Sequence, residues 1–250
     1  MAKLVTVVMK ANRAKEHLNS LEEAIRKFYS PPAGKPNPQR MRFYDDLPAG
    51  EYVLELSIDE PPLDWGIFAG EYIGSLRSSL DWLAWQLATL TTDFPSDRVS
   101  FPIWGKYSAR AESEIAKCTN GIPEKAVAIM KEIQPYNYGP SFKETHLWRL
   151  QCLWNVEKHR HLLINTIGLE VEVIPPKGTP YRLTDVVDNR AQVRFPLSAK
   201  GKVKFNPRGS RPILTFGDDE EGIHLKITDL REMHQFVSDK LIPRFNRFLL

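Results

Sequence analysis

Ile73-Gly74-Ser75-Leu76-Arg77-Ser78-Ser79-Leu80-Asp81-Trp82-Leu83-Ala84-Trp85-Gln86-Leu87 is the stretch that decides the fold. Ile73, Leu76, Leu80, Leu83, Leu87 and Leu90 recur at alternating steps of three and four. That period belongs to a helix with one apolar side. A second stripe lies one position away: Gly70, Gly74, Arg77, Asp81, Ala84 and Ala88. Arg77 and Asp81 are four residues apart, so their side chains meet on one face. A charge beside a core is costly unless it is paired and hydrogen-bonded. The spacing therefore predicts a long helix over about 62–91 with a partly buried Arg–Asp pair. Gly66, Gly70 and Gly74, spaced by four, would let another backbone approach, from this chain or from a second copy.

A second long helix is expected over 141–161, opened by a capping box of Ser141 and Glu144. Trp148, Cys152, Asn155, His159 and Leu162 follow steps of four and three. Asn155 and His159 then stand within a mostly apolar stripe. If the two long helices pack antiparallel, Arg77, Asp81, Asn155 and His159 converge on a polar cleft. His159 would exchange a proton near neutral pH. Arg77, Lys158 or Arg160 would hold a phosphate or a developing negative charge. In the alternative reading the same groups form a buried network that locks helix register, with Lys158, Arg160 and His161 solvated at a helix C-terminus.

Around these helices the punctuation is regular. Ala11, Ala14, Leu18, Leu21, Ile25 and Phe28 predict a helix over 11–28, preceded by a short first strand and stopped by Pro31 and Pro32. Residues 40–45 and 51–58 read as a β-hairpin, with Tyr52, Leu54, Leu56 and Ile58 on one face. Shorter helices are expected at 109–118 and 123–133. Residues 162–216, broken by nine prolines and glycines from Pro175 onward, read as antiparallel strands. Residues 217–222 read as an exposed turn. A last helix starts near Asp229, with Glu232 completing a capping pattern, and Pro243 breaks it. Runs of helix and runs of strand, not alternation, define an α+β class. The expected organisation is a single domain over 1–250, with a helical core at about 60–165, a β-rich part at about 162–222 and a C-terminal helix at about 229–248.

Composition narrows the partners. Of 250 residues 42% are hydrophobic, and 34 Lys and Arg face 31 Asp and Glu, for a net charge of +3. Disorder and low-complexity classes are excluded. Two cysteines without metal-ligand spacing, and no 20-residue apolar run, predict a reduced, cytoplasmic protein with no membrane span. Residues 189–216 carry seven basic residues and no acid. Lys200, Lys202 and Lys204 alternate, as on one strand face. Such a face would bind a phosphate backbone, or else guard a sheet edge against aggregation. A metal site from Asp81, Glu157, His159 and His161 is disfavoured, since residues two apart on a helix point different ways. No metal or cofactor is expected. Nucleic acid, a nucleotide or a second copy are the candidate partners. Trp82 or Trp85 would line a pocket or a dimer surface if they do not pack the core.

Leu76–Leu87 and Leu153-Trp154-Asn155-Val156-Glu157-Lys158-His159-Arg160 carry a resemblance. They resemble the "LRSALDHLxWQL" and "LxNxDKHR" segments of a family of uncharacterised bacterial proteins, with Trp82 in place of a usual His and Glu157 in place of a usual Asp. Phe101-Pro102-Ile103 and Ile133-Gln134-Pro135-Tyr136 also fit. The resemblance covers about residues 60–165 and implies no particular chemistry. A bacterial or phage-borne interaction, structural or ligand-binding protein is the expectation it leaves. A more distant similarity is to HEPN domains, helical bundles that often act as metal-independent ribonucleases through an Arg-x4–6-His motif. Arg149 and His159 are too far apart for that motif, so the likeness would require Arg77 and His159 from different helices.

Overall fold

The computed structural model describes residues 2–30, 34, 38–159, 163–184, 190–218 and 222–249. The fold is α+β, with an N-terminal hairpin and a C-terminal helix. Backbone contacts divide the chain into two compact units. One comprises residues 1–21, 66–163 and 216–250, the other 22–65 and 164–215.

The first unit is helical. Helix α1 (Ala2–Tyr29) enters it, followed by α2 (Asp64–Ala88), α3 (Ala109–Cys118), α4 (Glu124–Glu132) and α5 (His146–His159). The predicted first strand is absent and α1 runs unbroken from Ala2. Leu4 and Val7 extend the three–four period of Ala11, Ala14, Leu18 and Leu21 backwards, and burial of that stripe outweighs the β-propensity of the valines. Helix α2 is shorter than expected at both ends but buries the predicted stripe from Ile73 to Leu87; Leu90, the last member of that stripe, lies past the helix end and is 40% exposed.

Helix α5 starts a turn later than Ser141. Residues Pro135–Glu144 form tight 3-10 turns interrupted at Gly139, whose φ of 54° suits glycine. Thr145, in extended conformation, takes over the cap: its hydroxyl accepts from the Trp148 N–H at 3.3 Å. The buried face of α5 also differs from the expected one. Leu147, Leu150, Leu153 and Val156 are buried, whereas Asn155 and His159 are exposed. Helix α5 carries apolar residues on most of its circumference, so two stripes compete, and the one with three leucines wins the core.

Strand β7 (Ile223–Lys226) and helix α6 (Ile227–Gln235) follow, then a wide turn at Phe236–Leu241 and the short α7 (Asn246–Leu249). Asp229 is the third residue of α6 and not its first: its carboxylate accepts from the Lys226 N–H at 2.8 Å. His234 on α6 is 7% exposed, and its Nε2 lies 3.1 Å from the Ser238 hydroxyl. Burial, helped by Lys15 and opposed by Asp239, holds its pKa below the ordinary 6.5. Burial and Arg149 act the same way on His146. The unfolded chain therefore binds protons below pH 6.5 that the folded chain resists. Stability is expected to fall as the pH drops from 7 to 5, read as a lower urea midpoint; a flat profile would contradict this assignment.

The second unit holds a four-stranded antiparallel sheet in the order β1–β2–β5–β4. Its strands are β1 (Gln39–Asp46), β2 (Glu51–Ile58), β4 (Arg182–Leu183) and β5 (Arg190–Pro196). The hairpin register pairs Gln39 with Ile58 and Asp46 with Glu51. Leu54, Leu56, Val193, Phe195 and Ala199 form its core. Strand β3 (Leu163–Ile174) pairs with β6 (Lys204–Asp218). Gly217, expected in an exposed turn, is instead buried within β6. Residues 219–221 of that expected turn lie outside the described residues.

Candidate functional site

Helices α2 and α5 run antiparallel. Gly70 faces Glu157, Gly74 faces Trp154 and Arg77 faces Gln151. The small residues are there for this approach: a Cβ on Gly70 would come within 2.4 Å of the Glu157 carboxyl group, and one on Gly74 within 3.3 Å of the Trp154 ring. Gly70 and Gly74 thus serve a helix contact inside the chain.

Arg77 is 7% exposed and all three guanidinium nitrogens donate to protein oxygens. They reach Asp81 Oδ1 at 2.7 Å, the Phe101 carbonyl at 2.8 Å and Gln151 Oε1 at 3.3 Å. The same Asp81 oxygen accepts from the Phe101 N–H at 3.0 Å. Gln151 passes the chain of bonds on, donating to Asn155 Oδ1 at 2.9 Å. A second clamp sits beside it. Gln134, fully buried, donates from Nε2 to the carbonyls of Pro102 at 2.7 Å and Met130 at 3.0 Å, and its Oε1 accepts from the Trp104 N–H at 2.9 Å. Residues 101–104 have no regular strand or helix to satisfy their backbone, so buried side chains do it. Gln134 and Gln151 were not singled out from the sequence. The signals were slight: Gln134 stood within the Ile133–Tyr136 stretch of the resemblance without a role, and Gln151 lies four residues before Asn155, an ordinary helical pair.

The expected convergence of four residues becomes one of three. Arg77, Asp81 and Asn155 share a network; His159 does not reach it. It is exposed and eight residues beyond Gln151, which is about 12 Å along the helix axis. Lys158 is exposed and lies over the Trp154 ring at 4.9 Å. Arg160 and His161 lie outside the described residues. The predicted lysine row does not form. Lys200 and Lys202 belong to a turn with Gly201 at φ 75°, and only Lys204 opens strand β6. Lys200 is ion-paired with Asp45 of β1. Arg194 of the same basic stretch donates to Asp46 at 3.0 Å and Glu51 at 2.8 Å. The acids of the hairpin thus offset part of this stretch of positive charge.

Family models, curated proteins and solved structures offer no match to this chain. The resemblance therefore rests on its own segments. Their meeting place gives them a physical meaning: Arg77 and Asp81, Phe101–Pro102 and Gln134 come from three of those stretches and are joined by the hydrogen bonds above. Among the described residues no group of three or more His, Cys, Asp or Glu side chains is placed to hold a metal ion. No helix of the described residues is long and apolar enough to cross a membrane.

The outer face of the helical unit is different in character. Helix α1 runs antiparallel to α2: His17 Nδ1 lies 3.0 Å from Glu71, while residues 6–13 reach Trp82. Between them is a groove of about 550 Å³ lined by Met9, Lys10, Arg13 and Trp82, among others. Met9 is 63% exposed and Trp82 40%, and Val5 and Val8 on the same helix are also exposed. Among the described residues lining the groove, the charge of Arg13 is offset by Glu16 at 2.8 Å, and Lys10 adds a second exposed cation.

Proposed function

We propose that this chain is a helical-bundle interaction protein, in which the Arg77 network acts as frame and the α1–Trp82 groove as binding surface. The groove carries the reading. Met9 and Trp82, large apolar side chains exposed across one trough, are unusual on a surface that takes no partner. Its shape, two helices with a trough between them, suits an amphipathic helix laid in the groove. The cations on its rim favour a helix flanked by acidic residues. The ribonuclease-type alternative, with His159 as acid/base and Arg77 on phosphate, draws no support from this geometry: it needs both groups at one phosphate, and each guanidinium nitrogen of Arg77 already donates to a protein acceptor, away from His159.

A photo-reactive residue in place of Asn12, which lines the groove, tests this in cells. The expected product is a cross-link to an apolar helical segment with flanking Asp or Glu. Its synthetic peptide should bind the pure protein and lose at least about tenfold in affinity on Trp82→Ala, since truncating a central aromatic anchor typically costs 1–2 kcal/mol or more. Cross-links to a second copy alone, or peptide binding indifferent to Trp82→Ala, would overturn the proposal.

A further inference from the structure

A separate cavity of about 310 Å³ lies where the first turns of α5 face β7. Lys143, Arg149 and His224 line it together with Trp148, Cys152 and Glu144. Two full cations thus face one carboxylate in a single concavity. Among the described residues Arg149 makes one ion contact, to Asp229 at 3.8 Å, which is longer than a hydrogen bond and uses little of its five-donor fork. Trp148 is fixed. Its ring meets Phe142 edge-on at 5.1 Å, and it packs so closely on Gly105 that a Cβ there would lie within 2.6 Å of it. An immobile aromatic wall costs little entropy when a ligand stacks on it. The positive end of the α5 dipole adds to the cations beside it.

We propose that this cavity binds a small aromatic phosphate monoester, with the phosphate on Lys143 and Arg149 and the ring on Trp148. A lysine point charge and an arginine fork together suit a dianion better than a carboxylate. The volume is at the lower end for small-molecule sites, enough for one ring and one phosphate and too small for a polynucleotide. Glu144 opposes the anion and accepts from a ligand hydroxyl where there is one. The site is independent of the α1–Trp82 groove and stands or falls separately.

Calorimetric titration with phenyl phosphate, inorganic phosphate and phenol tests it. Phenyl phosphate is expected to saturate one site, about tenfold tighter than inorganic phosphate, as stacking on a rigid aromatic adds to the charge contacts. Phenol alone should not bind. Lys143→Ala, an exposed change that leaves the core untouched, and Arg149→Ala should each weaken binding about tenfold or more. Glu144→Gln should tighten it. Bound phenyl phosphate should also slow alkylation of Cys152 and leave Cys118 unaffected. No saturation at about 10 mM ligand, a range that covers even weak sites, would overturn the proposal, as would binding unchanged in the Lys143→Ala and Arg149→Ala variants.

Discussion

Replacing Arg77 with methionine is expected to lower the unfolding free energy by about 3 kcal/mol, measured by urea denaturation. The hydrocarbon stem is kept, so the loss comes from the polar end. Three acceptors lose their donor at once: Asp81, the Phe101 carbonyl and Gln151. Phe101 is 1% exposed, so its carbonyl cannot turn to water, and an unmade buried bond costs about 1–3 kcal/mol. Asp81 behaves differently. Its side chain is 37% exposed and rehydrates in part, which keeps the total near the low end for a broken buried pair. Loosening of residues 101–104 should follow, seen as faster exchange of the Phe101 amide. His159→Ala is the control. Being exposed and off the network, it should change stability by no more than about 0.5 kcal/mol.

Gly217→Ala is expected to cost at least as much, about 3–4 kcal/mol, for a different reason. A Cβ at 217 would lie 1.7 Å from the Ile223 carbonyl oxygen, 2.7 Å from its carbon and 3.1 Å from the His224 Cα. Those atoms are all backbone, so no rotamer change relieves the clash. The end of β6 would have to part from β7. Strand β7 leads directly into α6, where Leu230 and Met233 are fully buried, so the displacement reaches the core. Gly70 makes a useful contrast: an added methyl there meets only the end of the Glu157 side chain, which has rotatable bonds to move with. A Gly217→Ala protein with the wild-type urea midpoint would show that this strand end is not packed as described.

The parts of this molecule legible from sequence are those where one local signal had no rival. Helix α2 shows a single leucine stripe, and beside it the Arg77–Asp81 pair that a buried charge requires. The hairpin shows alternation and a turn, and its register followed. Elsewhere two signals competed. At Val5, Val7 and Val8 β-branching suggested a strand, but the longer apolar period made a helix. In α5 the Trp148–His159 stripe and the Leu147–Val156 stripe are both regular, and only the packed partner decides which is buried. That choice moved His159 from the expected cleft to the surface. Lys200, Lys202 and Lys204 alternate like a strand, yet Gly201 at positive φ turns the chain between the first two. The roles of Gln134 and Gln151 were hidden for a further reason: what they satisfy is the backbone of residues 101–104 and the Arg77 head group, and neither is apparent until the chain has folded around them.

That Arg77 belongs to the frame and does not serve as a phosphate ligand is tested most directly by a double-mutant cycle of Arg77→Met and Gln151→Leu, read by urea unfolding. If the two side chains brace α2 against α5, their losses should be non-additive, with a coupling of about 1 kcal/mol. Strict additivity, or an Arg77→Met protein as stable as the wild type, would contradict the architectural role and return Arg77 to the pool of groups available for chemistry.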